Sequence, residues 1–538
     1  MSDQKRLLLA AALMALVLFV SWQFMGRQSE RTTVQTGQGT AVQAQQQVPV
    51  ITQADSSRSD TSLQSDTTSR TVIADDSLGV GNAEPAVHEE RIIHVVIRDE
   101  GRDIVAARIS TLSGSIESWR LMLYENLTEE SDGRRIDLGG ATWIDQGWGF
   151  ETSAPDTVFV EEGVRSVFLT EISGERSIEY TFTPGFYGFH VQREGYDQVL
   201  ILNSGIIPIT ESKVTPGSYF KAQWNAEKIR SRDTEDIEMN DQVGNVQWIS
   251  ARTKYFGIIL LPRSYERAYG YVYGPGGDVS PSIGIQDNNV LVYAGPLDYG
   301  TLRELGSNTH LMVDFGWPVI RDIGRLLFWF CTAVLSFVGN WGLKIIILSV
   351  VLKVVLMPLT TKSFRSMAKL KQVQPKMKEL QEKYRSDPKA LQSAMQKLYR
   401  EEGVNPLGGC LPMLMQMPVF FALYRVLANS VQLRGADFML WIRDLSTPEI
   451  LIPFQTPMLG LDGIGLLAVL MGVSMFLQQK MTTVDQSQKS MTYILPVFMT
   501  YLFMRFPAGL TLYWFMNNIL TIGHQKMINS KLEAEKQV

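Results

Sequence analysis

The chain has 538 residues, 45% of them hydrophobic and 20% charged, with a formal net charge of −5. The apolar content excludes a disordered protein, and a total of two cysteines, Cys331 and Cys410, excludes a disulfide-built secreted domain. The charge is divided: residues 318–538 carry 24 Lys/Arg against 13 Asp/Glu, whereas residues 26–317 hold a net −17, so a basic apolar part follows an acidic polar one, as in a membrane protein with a large soluble domain.

In chain order, residues 1–6 carry Lys5 and Arg6 ahead of an uncharged 19-residue run, 7–25. That run is long enough for a hydrocarbon core about 30 Å thick. No A-x-A-like site follows it, so an uncleaved transmembrane anchor is expected rather than a signal peptide. Residues 26–89, rich in Gln, Ser, Thr and Asp, form a disordered linker by composition. From 90 to 317 the texture changes to short alternating runs such as RIIHVVIR, IEYTFTP and VLVYAG, punctuated by Gly, Asp, Asn and Pro. This predicts an all-β antiparallel sandwich, too large for a single sandwich and so carrying extra strands or a second pair of sheets. Within 318–338, Leu326–Val338 is apolar but only 13 residues long, and Arg321, Asp322 and Arg325 precede it. An amphipathic helix lying in the membrane interface fits better than a span.

Five further spans are predicted at 341–361, 407–429, 458–478, 491–506 and 508–525, the last two joined tightly through Phe506 and Pro507. Six spans make a multi-pass α-helical protein with both ends on one side. The 362–405 loop has 11 Lys/Arg against 5 Asp/Glu, and the 430–457 loop two against three. The positive-inside rule then makes 1–6, 362–405, 479–490 and 526–538 cytoplasmic. The 90–317 domain and the 430–457 loop face outward, into the periplasm of a bacterium with two membranes.

The basic loop has its own pattern. Met367, Leu370, Val373, Met377, Leu380 and Tyr384 form one helical stripe, Ser386-Asp387-Pro388 breaks and restarts the helix, and Leu391, Met395 and Leu398 continue the stripe to Gly403. The reading is a helical hairpin with Lys369, Lys371, Lys376, Lys378 and Lys383 on its outer faces. Those lysines are either a solvated face or a docking surface for anionic lipid headgroups, a ribosome or a nascent chain.

No phosphate loop, nucleophile elbow or H-E-x-x-H pair occurs, and His88, His94, His190, His310 and His524 are scattered. No catalytic residue, metal, cofactor or direct nucleic-acid contact is expected, and the protein is read as not an enzyme. The informative residues are polar ones inside the spans. Lys353 lies too deep to reach the interface easily, where a lysine costs about 2.5–3.5 kcal/mol. Ser349 shares its helix face, while Lys344 points oppositely and can snorkel at the outer end. No other span offers a deep carboxylate, which favours a wet cavity with an uncompensated positive charge over a structural ion pair. Gln416 lies between Pro412 and Pro418, and Asn517 and Asn518 follow Trp514. Met413, Met417 and Met499, with Phe420 and Phe503, are either plain packing or an adaptable apolar surface on the third and fifth spans for a partner of variable sequence.

The stretches NPLGGCLPMLMQMPVFFALY (405–424), GNWGLKIIIL (339–348), LRGADFMLWIRDLS (433–446) and FPAGLTLYWFMNNIL (506–520) carry a further signal. Through them the chain resembles the YidC/Oxa family of membrane protein insertases in its Gram-negative form, over nearly all of 318–528. The resemblance implies a periplasmic β-supersandwich, an interfacial helix, and a five-helix core with a cytoplasmic hairpin. It also implies a polar intramembrane groove open to cytoplasm and lipid. The groove's usual arginine falls on Lys353, its usual threonine or serine on Ser349, and a tyrosine common in relatives on Trp514. Lysine keeps the charge without the planar fork of arginine. Implied partners are nascent inner-membrane proteins, the Sec translocon with its accessory subunits, the ribosome and anionic lipids, with insertion needing no nucleotide. Two rival readings are a small-solute transporter, against which the absence of an internal repeat counts, and a membrane-anchored periplasmic enzyme acting on sugars.

Overall fold

A computed structural model describes residues 90–125, 135–138, 149–197, 199–202, 220–233, 236–237, 241–274, 281–404, 411–458, 460–482 and 489–537. The expected anchor at 7–25 and linker at 26–89 lie outside the described residues.

The β-rich part runs from Ile92 to Pro296 and contains sheets of five, nine and four strands. Pairing is antiparallel except where His94–Ile97 runs parallel to Thr157–Val160. Alternation dictates the layers. In Ser177–Phe182, Ile178, Tyr180 and Phe182 are buried while their neighbours are half-exposed. At the centre, the Phe189 ring lies 5.2 Å from Trp119 and 5.7 Å from Tyr180. Their polar atoms are satisfied: Trp119 Nε1 donates to the Ala294 carbonyl, and the Tyr180 hydroxyl to that of Gly114, each at 2.8 Å.

Eight helices follow among the described residues: α1 (Tyr299–Leu305), α2 (Pro318–Trp329), α3 (Trp341–Lys383), α4 (Pro388–Glu401), α5 (Leu411–Asn429), α6 (Leu466–Thr482), α7 (Lys489–Phe503) and α8 (Ala508–Gln537). The 326–338 stretch continues α2 as one π-helical turn, Phe330–Val334. One face of α2 packs Ile320, Leu327 and Cys331 into the helical core; Leu326, Trp329 and Phe337 stay exposed on the other side. An apolar outer face on a short helix suits an interfacial position. Burial pushes the Cys331 thiol up to about 11, which disfavours the reactive thiolate. Cys331 is therefore expected to resist maleimide in the folded protein at pH 8 and to react once detergent unfolds it. Peptide mass spectrometry across a pH series is the check; rapid labelling in the fold at pH 7 would show that the face is open.

The expected boundaries shift in three places. The span at 341–361 and the first arm of the hairpin are one uninterrupted helix of 43 residues, about 65 Å long. Ile452–Met458 and Leu461–Ile464 pair as two antiparallel strands, so the span expected to begin at 458 becomes helical only at Leu466. The C-terminal tail is not separate, because α8 runs from Ala508 to Gln537. Among the described residues α3 alone is long and apolar enough to cross a membrane, while Leu466–Met481 and Thr492–Phe503 are apolar but shorter. Small residues permit close helix approach: a Cβ on Gly472 of α6 would strike the Thr500 side chain of α7.

The β part is seated on the helices rather than tethered loosely. Trp248, Tyr293, Met312 and Phe315 form one buried cluster with Phe328 of α2 and Val426 of α5. Asp314 accepts from Arg425 at 2.9 Å, and its carbonyl accepts from Asn429 at 2.8 Å. Tyr255 donates to the Ala428 carbonyl at 3.2 Å.

Candidate functional site

Lys353 is placed by α3, whose start is fixed by Asn340. The Asn340 side chain accepts from the Leu343 N–H at 3.0 Å and donates to the Asp437 and Phe438 carbonyls, each at 3.0 Å. Five residues beyond Lys353, the helix carries Pro358 yet continues. Thr360 and Thr361 donate back to the Leu356 and Met357 carbonyls at 3.0 and 2.8 Å around that proline. The same two hydroxyls meet His524 of α8, at 3.5 Å to Nδ1 and 3.1 Å to Nε2. The Phe364 ring lies 5.3 Å from the imidazole.

Lys353 is half-buried between α3 and α8. Its Nζ donates to Thr521 Oγ1 at 2.6 Å, and that hydroxyl donates to the Asn517 carbonyl at 2.6 Å. Lys353 has no ion pair among the described residues, in which the salt bridges lie in the β part, the hairpin and the α2 and α5 periphery. A half-buried ammonium with one neutral partner keeps donor capacity and an uncompensated field. Ser349, one turn away, is buried, and its hydroxyl turns back to the Ile345 carbonyl at 2.7 Å.

The other expected groove residues separate into groups. Trp514 is half-buried against Phe420 and Phe503, at ring distances of 4.9 and 5.4 Å. Gln416 donates to the Tyr513 hydroxyl, a tie between α5 and α8. Asn517 shares the Lys353 side through its carbonyl. Asn518 does not: it is buried, and it donates to Ser474 of α6 at 3.0 Å. Lys344 is buried, with its ammonium 4.5 Å above the Trp341 ring at the start of α3.

Of the expected apolar client face, the Met413 side chain lies outside the described residues. Met417, Phe420 and Met499 are half-buried. Phe503 is buried, with its ring 5.3 Å from Phe506 and 6.4 Å from Phe420, so it packs the bundle rather than offering a surface. Among the described residues, the exposed apolar side chains of α7 are instead Tyr493, Ile494, Val497 and Phe498.

The hairpin forms as the stripe requires. Asp387 caps α4 by accepting from the Lys389 and Ala390 N–H groups at 3.0 and 3.1 Å, and Val373, Met377, Leu398 and Val404 pack between its arms. Lys369, Lys378 and Lys383 are exposed. Lys376 is exposed but bonded to Glu402 at 2.6 Å, which ties the two arms. Lys371 departs from the group: it is half-buried and donates to the Met481 carbonyl of α6.

Sequence reasoning missed Thr521 and the pairing of His524 with two threonines. Thr521 lies one helical turn beyond Asn517, a spacing that could have joined it to the Lys353 face.

Fold and site together describe a β-rich domain packed on a helical bundle that carries a half-buried cation, with one helix, α3, long and apolar enough to cross a membrane. The model of the family described as 60Kd inner membrane protein matches residues 333–536. A membrane protein insertase YidC from Geotalea daltonii is 34% identical over 484 residues, covering 80% of this chain and 86% of its own. Those from Chlorobium luteolum and Wolinella succinogenes are 32% and 33% identical, over 84% and 72% of this chain and 84% and 69% of theirs. A solved structure of an active YidC insertase, at 19% identity and a TM-score of 0.38, covers 81% of this chain and 94% of that one. The sequence matches, not that superposition, establish membership. The chain belongs to the YidC family of membrane protein insertases, which is not a family of enzymes, and the transporter and sugar-enzyme readings are set aside.

Proposed function

We propose that this insertase works by drawing an extracellular segment of its client into a polar groove beside Lys353 while the client's apolar segment moves into lipid along α5 and α7. The observation that carries this is the Lys353 ammonium, half-buried in the bundle and held by Thr521 alone, with no ion pair among the described residues. The groove members are Lys353, Ser349, Trp514, Gln416 and Asn517, with Asn518 stiffening the α6–α8 contact behind them. The driving free energy is the client's own transfer into lipid, roughly −0.3 to −0.6 kcal/mol per Leu, Ile, Phe or Val. The groove reduces the barrier for the polar segment, and no nucleotide is needed.

The chain crosses the inner membrane six times on this reading, with both termini and the 362–405 hairpin cytoplasmic and 90–317 periplasmic. The exposed apolar side chains Val354, Val355, Ile494 and Val497 support lipid contact. Nascent inner-membrane proteins are the clients, with the Sec translocon, the ribosome and anionic lipids as the hairpin's and bundle's partners. A photocrosslinker at Asn517 should capture a ribosome-stalled nascent membrane protein, and one at exposed Phe168 of the β domain should not. Equal capture at both positions, or cysteine labelling that places Lys383 outside, would reject the reading.

A further inference from the structure

Lys371 stands where α3 passes from the bundle to the hairpin. On its N-terminal side Phe364 and Met367 pack on Ile528 of α8. On its C-terminal side Val373 and Met377 pack on Leu398 and Val404 within the hairpin. At the change-over, Lys371 Nζ donates to the Met481 carbonyl in the last turn of α6, and Gln525 Nε2 of α8 donates to the same oxygen at 3.2 Å. The last carbonyls of a helix lack intrahelical donors and carry the negative end of its dipole, so a cation is favoured there. Gln525 is 4% exposed, and its Oε1 has no hydrogen-bond partner among the described residues. The junction is thus a partly buried, acceptor-rich point on which three helices converge, and the Lys371 side chain links the hairpin to it.

We propose that Lys371 is a positioning residue for insertion: by capping α6 it fixes the angle of the hairpin over the cytoplasmic end of the Lys353 site. This rests on reading that site as the client groove. A pivot acts on every client alike, whereas the Lys353 charge discriminates among client tails. Loss of the cap is therefore expected to slow insertion of acidic, neutral and basic tails equally.

The test uses the full-length protein in nanodiscs, with Cys331 and Cys410 replaced by alanine and spin labels at Glu382→Cys on the hairpin and Lys526→Cys on α8. Lys371→Met should broaden the distance distribution between the labels and reduce insertion by roughly three- to tenfold, the range for a partly exposed charge-assisted hydrogen bond. Lys371→Arg should restore both readouts. Lys389→Met, which removes the same charge from the hairpin away from Met481, should leave both unchanged. An unchanged distribution in Lys371→Met overturns the proposal, as does a broadened one with parental insertion rates. A defect confined to acidic tails also overturns it, by assigning Lys371 to charge attraction. Failure of the groove reading would be registered separately, at Lys353, as loss of tail-charge dependence with the label distances intact.

Discussion

Lys353→Glu is expected to abolish insertion of clients whose extracellular tails are acidic, while Lys353→Arg remains active. If the ammonium attracts carboxylates in a wet groove, the sign of its charge matters and the geometry of its hydrogen bond does not. Two like charges about 4 Å apart at an effective dielectric of about 20 repel by about 4 kcal/mol. Even heavily screened, that reversal should lower insertion of acidic tails by about tenfold or more. Lys353→Ala should leave the protein folded, because no carboxylate among the described residues loses a partner. It costs the hydrogen bond to Thr521, about 1 kcal/mol. Neutral and basic tails should suffer less from alanine than acidic ones. Protein level and insertion of a tail-charge series, measured in the same cells, separate this from a structural role. Low protein level with equal failure of every client would show that Lys353 holds the bundle together instead.

Phe328→Ala is expected to loosen the joint between the β domain and the helices. Phe328 is 7% exposed, and its ring lies 5.8 Å from Phe315 and 6.1 Å from Tyr299. Truncating a buried phenylalanine costs about 3–5 kcal/mol through lost transfer and the cavity left behind. The hydrogen bonds around Asp314 remain and do not fill that cavity. Trypsin should then cut at Arg321 and Arg325 of α2 well before it does in the parent. Phe337→Ala, on a side chain 81% exposed, should leave the cleavage rate unchanged. Parental resistance in Phe328→Ala would mean that the polar contacts, not the aromatic cluster, hold the joint.

The lysines show how far the sequence carries. Lys353 is identifiable from depth alone, because an ammonium far from either interface needs water, a counter-charge or a function. Lys369, Lys371, Lys376, Lys378 and Lys383 look alike as a charge run. Their separation into exposed charges, an arm-to-arm tie at Lys376 and a cap at Lys371 depends on where α6 and Glu402 arrive from elsewhere in the chain. Phe503 misleads for a similar reason. An apolar side chain on a short apolar helix reads the same whether it meets lipid, client or core, and its burial follows from Phe420, Phe506 and Trp514 converging on it.

By itself the sequence determined the division into an acidic β-rich part and a basic helical part, the hairpin with its Asp387 cap, and the family. Each of these is written in local terms: hydrophobic period, charge count, capping residues and contiguous motif. Only the tertiary structure decided that α3 runs unbroken through Pro358, that Asn518 serves α6 instead of the groove, and that Lys353 rests on Thr521. Each depends on which helix faces which across many residues of sequence separation. A helix of period 3.6 specifies which residues share a face, but only packing specifies what that face meets.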